Sequence, residues 1–457
     1  MDRRSFIKKT GFTLGVGGIT GISLAKIPNI QDSKEIEWDY SQKRINPSDD
    51  SVWREIQKYY PTNPNFINLE NGYFSHQALP VLNFHQEIEN EINSKHSVFM
   101  RTEQETRIEE TRKIFALYQK CDENELAFTR NTTESLNTAI MGFPWENGDE
   151  VVIGNQDYGS MVEAFKQCER RWNIKLKVAN LPIIDMANWE EAIINAYTSK
   201  ISEQTKMVLL THPINLNGMG IPIHRLISKI RESSAKICIV VDAAHALSHL
   251  PDTIGDINAD IIGSSLHKWT GAPLGLGCLY IRQSWIPKIW PLMGDDSKSI
   301  NDIRKFEHHG TRPIQSIMSL IKAIEFNQKI GLENRLNRLL YLKYIWQGNQ
   351  SGLNSLSQKT GFNISLKKIG VIDHTKSGNI EFQHPIQNNP WQGAISTFSI
   401  KGLSPENLAL KLKDEFNIFS VAINHPVIKG VRITPQLSNS IEDVIALNKA
   451  IQSISSK

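Results

Sequence analysis

Cysteine is scarce in this chain, and its few copies are scattered. The 457 residues include four cysteines, and none of them stands in Cys-x-x-Cys spacing or in a Cys/His cluster typical of metal ligands. A chain long enough to bury a sizeable core has no need of a disulfide framework. The sequence therefore predicts no metal site and no disulfide scaffold.

Net charge is also nearly absent. The formal charge is +3, and the first nine residues account for it with four basic side chains and one acidic side chain. The rest of the chain carries basic and acidic residues in equal number. Such a balance argues against nucleic acid or an anionic membrane as a partner.

No long apolar run occurs, so we expect no transmembrane span in the mature chain. The segment 11–25 is too short and too rich in glycine to cross a bilayer. The preceding R-R-S-F-I-K sequence at residues 3–8 resembles a twin-arginine export signal, with a cut after Ala25. This predicts export of the folded protein by the twin-arginine machinery to the periplasm or another extracytoplasmic site. A basic amphipathic helix over residues 1–25 is the alternative.

Two common catalytic motifs are missing as well. No G-x-G-x-x-G sequence follows a predicted strand, and no G-x-S-x-G turn is present. The sequence therefore does not favour a dinucleotide-binding enzyme or a serine hydrolase.

A carboxylate and a lysine stand at the ends of two successive predicted strands. Asp242 ends the apolar, β-branched run 237–241, and Lys268 follows the next apolar run, just before a turn rich in glycine and proline. In a parallel sheet both ends lie at the edge where ligands bind. A lysine can form a Schiff base with a carbonyl compound, and a carboxylate can pair with the pyridine nitrogen of pyridoxal phosphate. We therefore expect Lys268 and Asp242 to be the catalytic residues of a pyridoxal phosphate enzyme.

Two motifs carry a resemblance to a known family: Val241–His245, which reads V-D-A-A-H, and Ser264–Lys268, which reads S-S-L-H-K. Together they resemble the class V aminotransferase family of fold-type I pyridoxal phosphate enzymes. That family includes cysteine desulfurases, selenocysteine lyases and isopenicillin N epimerase-like proteins. The resemblance covers most of the chain after about residue 60.

The resemblance implies an α/β fold, with a large, doubly wound and mostly parallel sheet domain and a smaller α+β domain at the C-terminus. It also implies a homodimer. The expected parts are a signal peptide (1–25), an N-terminal segment that packs with the small domain (26–90), a large cofactor-binding domain (91–330) and a small C-terminal domain (331–457).

The cofactor phosphate has an expected site at Thr132 and Thr133, where a short strand meets the start of a helix. Free backbone N–H groups and hydroxyls at a helix N-terminus form an anion site. By resemblance, Tyr158 stacks on the pyridine ring, and Asn215 and His245 lie near the cofactor's 3-oxygen. The expected cofactor-binding residues are Thr132, Thr133, Tyr158, Asn215, Asp242, His245, Ser265, His267, Lys268, Gly310 and Thr311.

Residues from two further segments complete the expected site by resemblance. Gly310 and Thr311 belong to a turn that reaches the phosphate from the partner subunit. Arg432, in the sequence V-R-I-T-P, clamps the substrate α-carboxylate, for which a bidentate guanidinium is well suited. Asn71, in the sequence L-E-N-G, lies along the substrate entrance.

The expected activity is chemistry at the α-carbon of an amino acid or related amine, of an epimerase-like or lyase type. Transamination is the first alternative, and a catalytically inactive protein with this fold is the second. A cysteine desulfurase needs a nucleophilic cysteine on a loop in the C-terminal part, and no cysteine follows Cys278. The sequence argument therefore excludes a desulfurase that works through a cysteine on such a loop.

Overall fold

The structure is a computed structural model that describes residues 35–61, 65–183, 188–364, 370–383, 389 and 391–456. The predicted export signal, residues 1–25, lies outside the described residues.

The strands are short, and in five of the described strands every residue is buried. In chain order they are β1 (Ile67–Asn68), β2 (Leu126–Thr129), β3 (Glu150–Gly154), β4 (Lys175–Ala179), β5 (Thr205–Thr211), β6 (Cys238–Asp242), β7 (Ile261–Ser265), β8 (Gly277–Ile281), β9 (Ile380–Phe382), β10 (Ser396–Ile400), β11 (Ile418–Phe419), β12 (Val421–Asn424) and β13 (Lys429–Ile433).

The helices alternate with the strands between residues 126 and 281 and cluster before and after that region. In chain order they are α1 (Asp50–Gln57), α2 (Leu79–Lys95), α3 (Ser97–Thr102), α4 (Gln104–Tyr118), α5 (Thr132–Gly142), α6 (Gly159–Trp172), α7 (Trp189–Thr198), α8 (Ile223–Ser233), α9 (Ile254–Ile257), α10 (Ile314–Met318), α11 (Leu320–Ile330), α12 (Leu332–Gln347), α13 (Gln350–Thr360), α14 (Pro405–Phe416) and α15 (Ile441–Ser455).

The large sheet has the strand order β2-β8-β7-β6-β5-β3-β4. Its neighbours pair in parallel except at β8, which is antiparallel to both β7 and β2. Successive residues point to opposite faces, so Val240 and Val241 belong to two different buried clusters. Both faces are covered, as expected for a parallel sheet built from apolar runs. The prediction of a doubly wound, mostly parallel α/β sheet is confirmed.

The register of this sheet brings three strand ends together. Thr211 at the end of β5 pairs with Asp242 at the end of β6, and Asp242 pairs with Gly263 near the end of β7. Because the three strands are parallel, the segments that follow them leave the sheet at the same edge. Lys268 follows β7 at this edge.

A second, four-stranded antiparallel sheet has the order β12-β13-β10-β9. Helices α12 and α15 share one buried apolar cluster with it, which includes Trp346, Leu447 and Phe398. This is the smaller C-terminal sheet that the fold prediction expected. β1, from the N-terminal segment, pairs in parallel with β11, and Glu70 forms a bridge with Thr434 after β13.

Within the described residues, no helix is both long and apolar enough to cross a membrane. In the same part of the chain, no cluster of histidine, cysteine, aspartate and glutamate is suited to bind a metal ion. The four cysteines are free thiols.

Candidate active site

A cavity of about 340 Å³ lies at the carboxyl edge of the large sheet. Nearly all the residues predicted from the sequence to bind cofactor or substrate line this cavity. They are Thr132, Thr133, Tyr158, Asn215, Asp242, His245, Ser265, His267, Lys268 and Arg432. Sequence segments up to 300 residues apart therefore meet at one place in the fold.

Lys268 lies on the turn after β7, and its Nζ is 3.1 Å from Nε2 of His245. Burial lowers the pKa of Lys268 from its ordinary value of 10.5 to about 8, although the nearby carboxylate of Asp242 acts in the opposite direction. The free amine is therefore much more abundant near neutral pH than it is for an exposed lysine. The amine is the form that reacts with a carbonyl group.

His245 contacts a second residue that the sequence reasoning did not single out. The indole N–H of Trp269 donates a hydrogen bond to Nδ1 of His245 over 3.1 Å. Trp269 is buried, and its ring stacks on His249 with the ring centres 3.7 Å apart. The only sequence signal for Trp269 is its place directly after Lys268.

Two buried carboxylates lie at the carboxyl edge of the large sheet, Asp242 at the end of β6 and Asp157 just after β3, with β5 between these two strands. Asp242 accepts the backbone N–H of Ala244 at 3.0 Å, and burial raises the pKa of its carboxyl group. Asp157 accepts the hydroxyl of Thr211 and the backbone N–H of Gly154, each at 2.7 Å. Burial raises the pKa of Asp157 to about 7, and the charge of Asp242 acts in the same direction. Nothing in the sequence distinguishes Asp157 from an ordinary loop aspartate.

The N-terminus of α5 is tied to the end of β7. The Ser265 hydroxyl accepts the backbone N–H of Thr132 at 2.9 Å and lies 2.7 Å from the Thr132 hydroxyl. Asn131 caps the helix by accepting the backbone N–H of Glu134. This arrangement directs the first turn of α5, including Thr133, towards the cavity.

Arg432 does not have its whole guanidinium group available for a substrate. Its Nη2 donates to the carboxylate of Glu70 at 2.6 Å, and its Nη1 donates to the backbone oxygen of Asn215 at 3.0 Å. Both charged side chains are buried. The sequence reasoning missed Glu70, which directly precedes the predicted site residue Asn71.

Three predicted site residues lie elsewhere. Asn71 is buried behind the cavity, where its side-chain amide donates to the backbone oxygen of Thr434 at 2.9 Å. This bond joins the N-terminal segment to the chain just after β13. Asn71 therefore supports the structure around the cavity but is not part of its lining. Gly310 and Thr311 are exposed on the surface and are absent from the cavity lining of their own chain.

The residues of the cavity fit pyridoxal phosphate. The first turn of α5 presents Thr133 to the cavity for a phosphate, while the backbone N–H groups of Thr132 and Glu134 already bond to Ser265 and Asn131. Asp242 is a buried acid suited to a pyridine nitrogen. The side-chain oxygen of Asn215 is buried without a hydrogen-bond partner within the described residues, so this amide has unused capacity. Lys268 would provide the amine for the cofactor's aldehyde.

Comparison with known proteins agrees with this assignment. The family model for class-V aminotransferases matches residues 80–357, which is more than half of the chain. The chain therefore belongs to the class-V aminotransferase family, and it is a pyridoxal phosphate-dependent enzyme of fold-type I.

Several relatives have names that describe their chemistry. The chain is 22% identical to a hercynylcysteine sulfoxide lyase of Schizosaccharomyces pombe, over 62% of this chain and 74% of that protein. It is 30% identical to a probable cysteine desulfurase of Mycoplasma genitalium, over 63% of this chain and 71% of that protein.

A similar solved structure is that of a C-DES mutant with glycine covalently linked to its pyridoxal phosphate cofactor. Its TM-score is 0.71 at 16% identity, and the match covers 86% of this chain and 98% of C-DES. Another matching structure describes C-DES as a cystine C–S lyase. At this level of identity the likeness establishes the fold.

These relatives correct one expectation. The exclusion of a desulfurase was wrong, because proteins named cysteine desulfurases recur among the relatives of this chain. The exclusion relied on the missing cysteine after Cys278. That argument concerns only the group that would receive sulfur, and Lys268, Asp242 and Arg432 are all present in the cavity.

Proposed function

We propose that this enzyme cleaves the bond between the β-carbon and sulfur of a sulfur-containing amino acid. The observation that carries the proposal is the cavity in which Lys268, Asp242 and Arg432 converge, because this set suits an amino acid held at its α-carbon. The names of the relatives indicate that the substrate contains sulfur. A sulfoxide lyase, cysteine desulfurases and a cystine C–S lyase all act on cysteine or a cysteine derivative by name.

The residues of the chain have distinct functions in this proposal. Arg432 binds the substrate α-carboxylate with the part of its guanidinium that Glu70 and Asn215 leave free. Lys268, once it is a free amine, accepts the α-proton, because its lowered pKa of about 8 suits proton transfer near neutral pH. Bound pyridoxal phosphate supplies an electron sink for the electrons left at the α-carbon, and Asp242 supports it at the pyridine nitrogen.

The overall reaction of a lyase balances without an added oxidant or reductant. A cysteine thioether and water give a thiol, pyruvate and ammonium; the sulfur leaves with the bonding electrons and takes up a proton. A desulfurase instead leaves alanine and transfers sulfur to an acceptor thiol. Both outcomes break the same carbon–sulfur bond.

The test is an assay of the purified full chain with added pyridoxal phosphate. L-Cysteine, L-cystine and an S-alkyl-L-cysteine sulfoxide serve as substrates, and L-alanine is the control that lacks sulfur. We expect pyruvate with ammonium, or alanine with transferred sulfur, from at least one sulfur substrate. The absence of carbon–sulfur cleavage in the whole panel would refute the proposal.

Epimerisation is the second candidate function. Tyr158 lines the cavity and is 45% exposed as a residue, so a second group capable of proton transfer is present in the cavity with Lys268. Exchange of the substrate α-proton with deuterated water, together with loss of optical rotation and intact sulfur, would favour it. Transfer of the amino group to a keto acid would identify an aminotransferase instead.

We also propose that the enzyme acts as a homodimer outside the cytoplasm. The R-R-S-F-I-K sequence supports export by the twin-arginine route, and the exposed position of Gly310 and Thr311 leaves them available to a partner subunit. Cell fractionation of the full chain and of a form with Arg3 and Arg4 replaced by lysine tests the export. Equal periplasmic amounts of the two forms would contradict it.

A further inference from the structure

The hydrogen bond between Trp269 and His245 determines which nitrogen of the histidine ring carries a proton. An indole N–H can only donate a hydrogen bond, so Nδ1 of His245 must accept it with a lone pair. A neutral imidazole has one proton, which must then be on Nε2. Burial keeps the ring neutral, because it lowers the pKa of His245 well below the ordinary value.

Nε2 is the nitrogen that faces Lys268, at 3.1 Å from Nζ. An N–H at this position needs an acceptor, and an ammonium group has no lone pair to offer. The free amine of Lys268 has one. The contact is therefore a hydrogen bond only after Lys268 has lost its proton to solvent.

We propose that Trp269 is a positioning residue that holds His245 in the Nε2–H tautomer and thereby favours the free amine of Lys268. This inference goes beyond the proposed function, because it concerns how any substrate or cofactor carbonyl meets a reactive lysine. It holds whether the enzyme proves to be a lyase, a desulfurase or an epimerase.

Trp269 is held firmly enough for this purpose. Its ring lies almost parallel to that of His249, at an interplanar angle of 7°. His249 is fixed in turn, since Nε2 accepts the backbone N–H of Ala394 at 2.7 Å and Nδ1 donates to the backbone oxygen of His245 at 2.8 Å. The backbone oxygen of Trp269 accepts from Arg335 at 2.7 Å. Hydrogen bonds from three separate segments therefore define the orientation of the indole.

Other charged and titratable groups also face Lys268, and they do not act in one direction. They are Asp242, Glu70, Arg432 and His267. The two carboxylates favour the ammonium form, whereas Arg432 and the burial of the side chain favour the amine. The Nε2–H of His245 also favours the amine. Without this N–H, the two carboxylates would shift Lys268 further towards its ammonium form.

The test compares the cofactor-free full chain with the variant Trp269→Phe, which keeps an aromatic ring against His249 and removes the N–H. The probe is pyridoxal phosphate, and the measurement is the rate at which visible absorbance of the bound cofactor appears, over a range of pH. We expect the midpoint of this rate profile to rise by at least about one unit in the variant. The rate near pH 7 then falls about tenfold or more, with equal rates well above both midpoints.

Two controls make the result specific. Trp346→Phe removes another fully buried indole, whose N–H has no hydrogen-bond partner within the described residues, and it should not move the midpoint. His245→Gln replaces the imidazole with a side-chain amide, whose N–H can donate to Lys268 whether or not residue 269 has an indole N–H. In that background, Trp269→Phe should cause no further change. An unchanged midpoint in Trp269→Phe alone, or the same shift in Trp346→Phe, would overturn the proposal.

A second measurement needs no folded Trp269 variant. Nitrogen-15 NMR of the histidine-labelled, cofactor-free chain distinguishes a protonated Nε2 from a protonated Nδ1, and the His245 signal is assigned by its loss in His245→Gln. We expect Nε2 to carry the proton over the pH range in which the protein is folded. A proton on Nδ1 would overturn the proposal.

Discussion

Lys268 is the residue that we expect to form the imine with the cofactor, and its surroundings favour the free amine that this reaction needs. Burial and the contact with His245 favour loss of its proton, while the nearby carboxylate of Asp242 acts in the opposite direction. We predict that Lys268→Ala abolishes both turnover and the visible absorbance of the attached cofactor. The exposed lysine in Lys236→Ala is the control and should leave both unchanged.

Glu70 sets how strongly Arg432 can attract a substrate carboxylate. Two carboxylates compete for one buried guanidinium, and removal of the internal one leaves an unpaired cation. We predict that Glu70→Gln lowers KM for amino acid substrates by about tenfold, about 1.4 kcal/mol of binding free energy. The charge-conserving Glu70→Asp should change KM less. A raised KM in Glu70→Gln would show instead that Glu70 mainly positions Arg432.

At the scale of elements, the junction between β7 and α5 supports the expected phosphate site. Ser265 accepts the backbone N–H of Thr132 and so fixes the direction of the first helical turn. We predict that Ser265→Ala weakens pyridoxal phosphate binding about tenfold, measured by titration of visible absorbance. Thr138→Ala, one turn further along α5, removes a hydroxyl bonded to Glu134 and should leave cofactor affinity unchanged.

Helix α12 carries a buried lysine that makes stability depend on pH. Burial lowers the pKa of Lys343 to about 7, and its Nζ contacts the backbone oxygen of Gly393 and the side-chain oxygen of Gln392, each at 3.2 Å. Between about pH 7 and about pH 10.5 the unfolded chain binds more protons than the folded chain at this lysine. A rise in pH through this window therefore favours the folded state.

We predict that the wild-type chain gains stability relative to Lys343→Met as pH rises from about 7 to about 10. Each unit of pKa difference corresponds to about 1.4 kcal/mol, so the relative gain is roughly 3 kcal/mol. Calorimetric unfolding midpoints of the two chains at both pH values measure it. Lys359→Met, at an exposed lysine of α13, should follow the wild type. Parallel pH profiles for wild type and Lys343→Met would refute the prediction.

At the scale of the whole molecule, a homodimer remains a prediction that the exposed Gly310–Thr311 turn makes testable. If this turn completes the partner's site, a dimer of Lys268→Ala with Thr311→Trp has one intact site. We predict that each variant alone is inactive and that their equimolar mixture regains about a quarter of wild-type activity after subunit exchange, by random pairing. A mixture as inactive as its components would contradict a shared site.

The sequence motifs were sufficient for the fold and for most of the cavity lining. Apolar runs that end in Asp242 and precede Lys268 predicted parallel strands, and the sheet register brings the segments that follow them to one edge. The motifs could not exclude Asn71 from the cavity, since its amide is occupied by a backbone oxygen far away in sequence. They also missed Glu70 and Trp269, because each acts on a side chain supplied by a different segment.

The sequence by itself determined the α/β class, the cofactor and the pair Lys268 and Asp242, because apolar periodicity and strand-end chemistry are local properties of the chain. Tertiary structure decided how far each group is buried and which groups meet. Only the folded chain places Glu70 against Arg432 and the indole N–H of Trp269 against His245. Burial and hydrogen-bond geometry set protonation states, and both depend on contacts between segments that are distant in sequence.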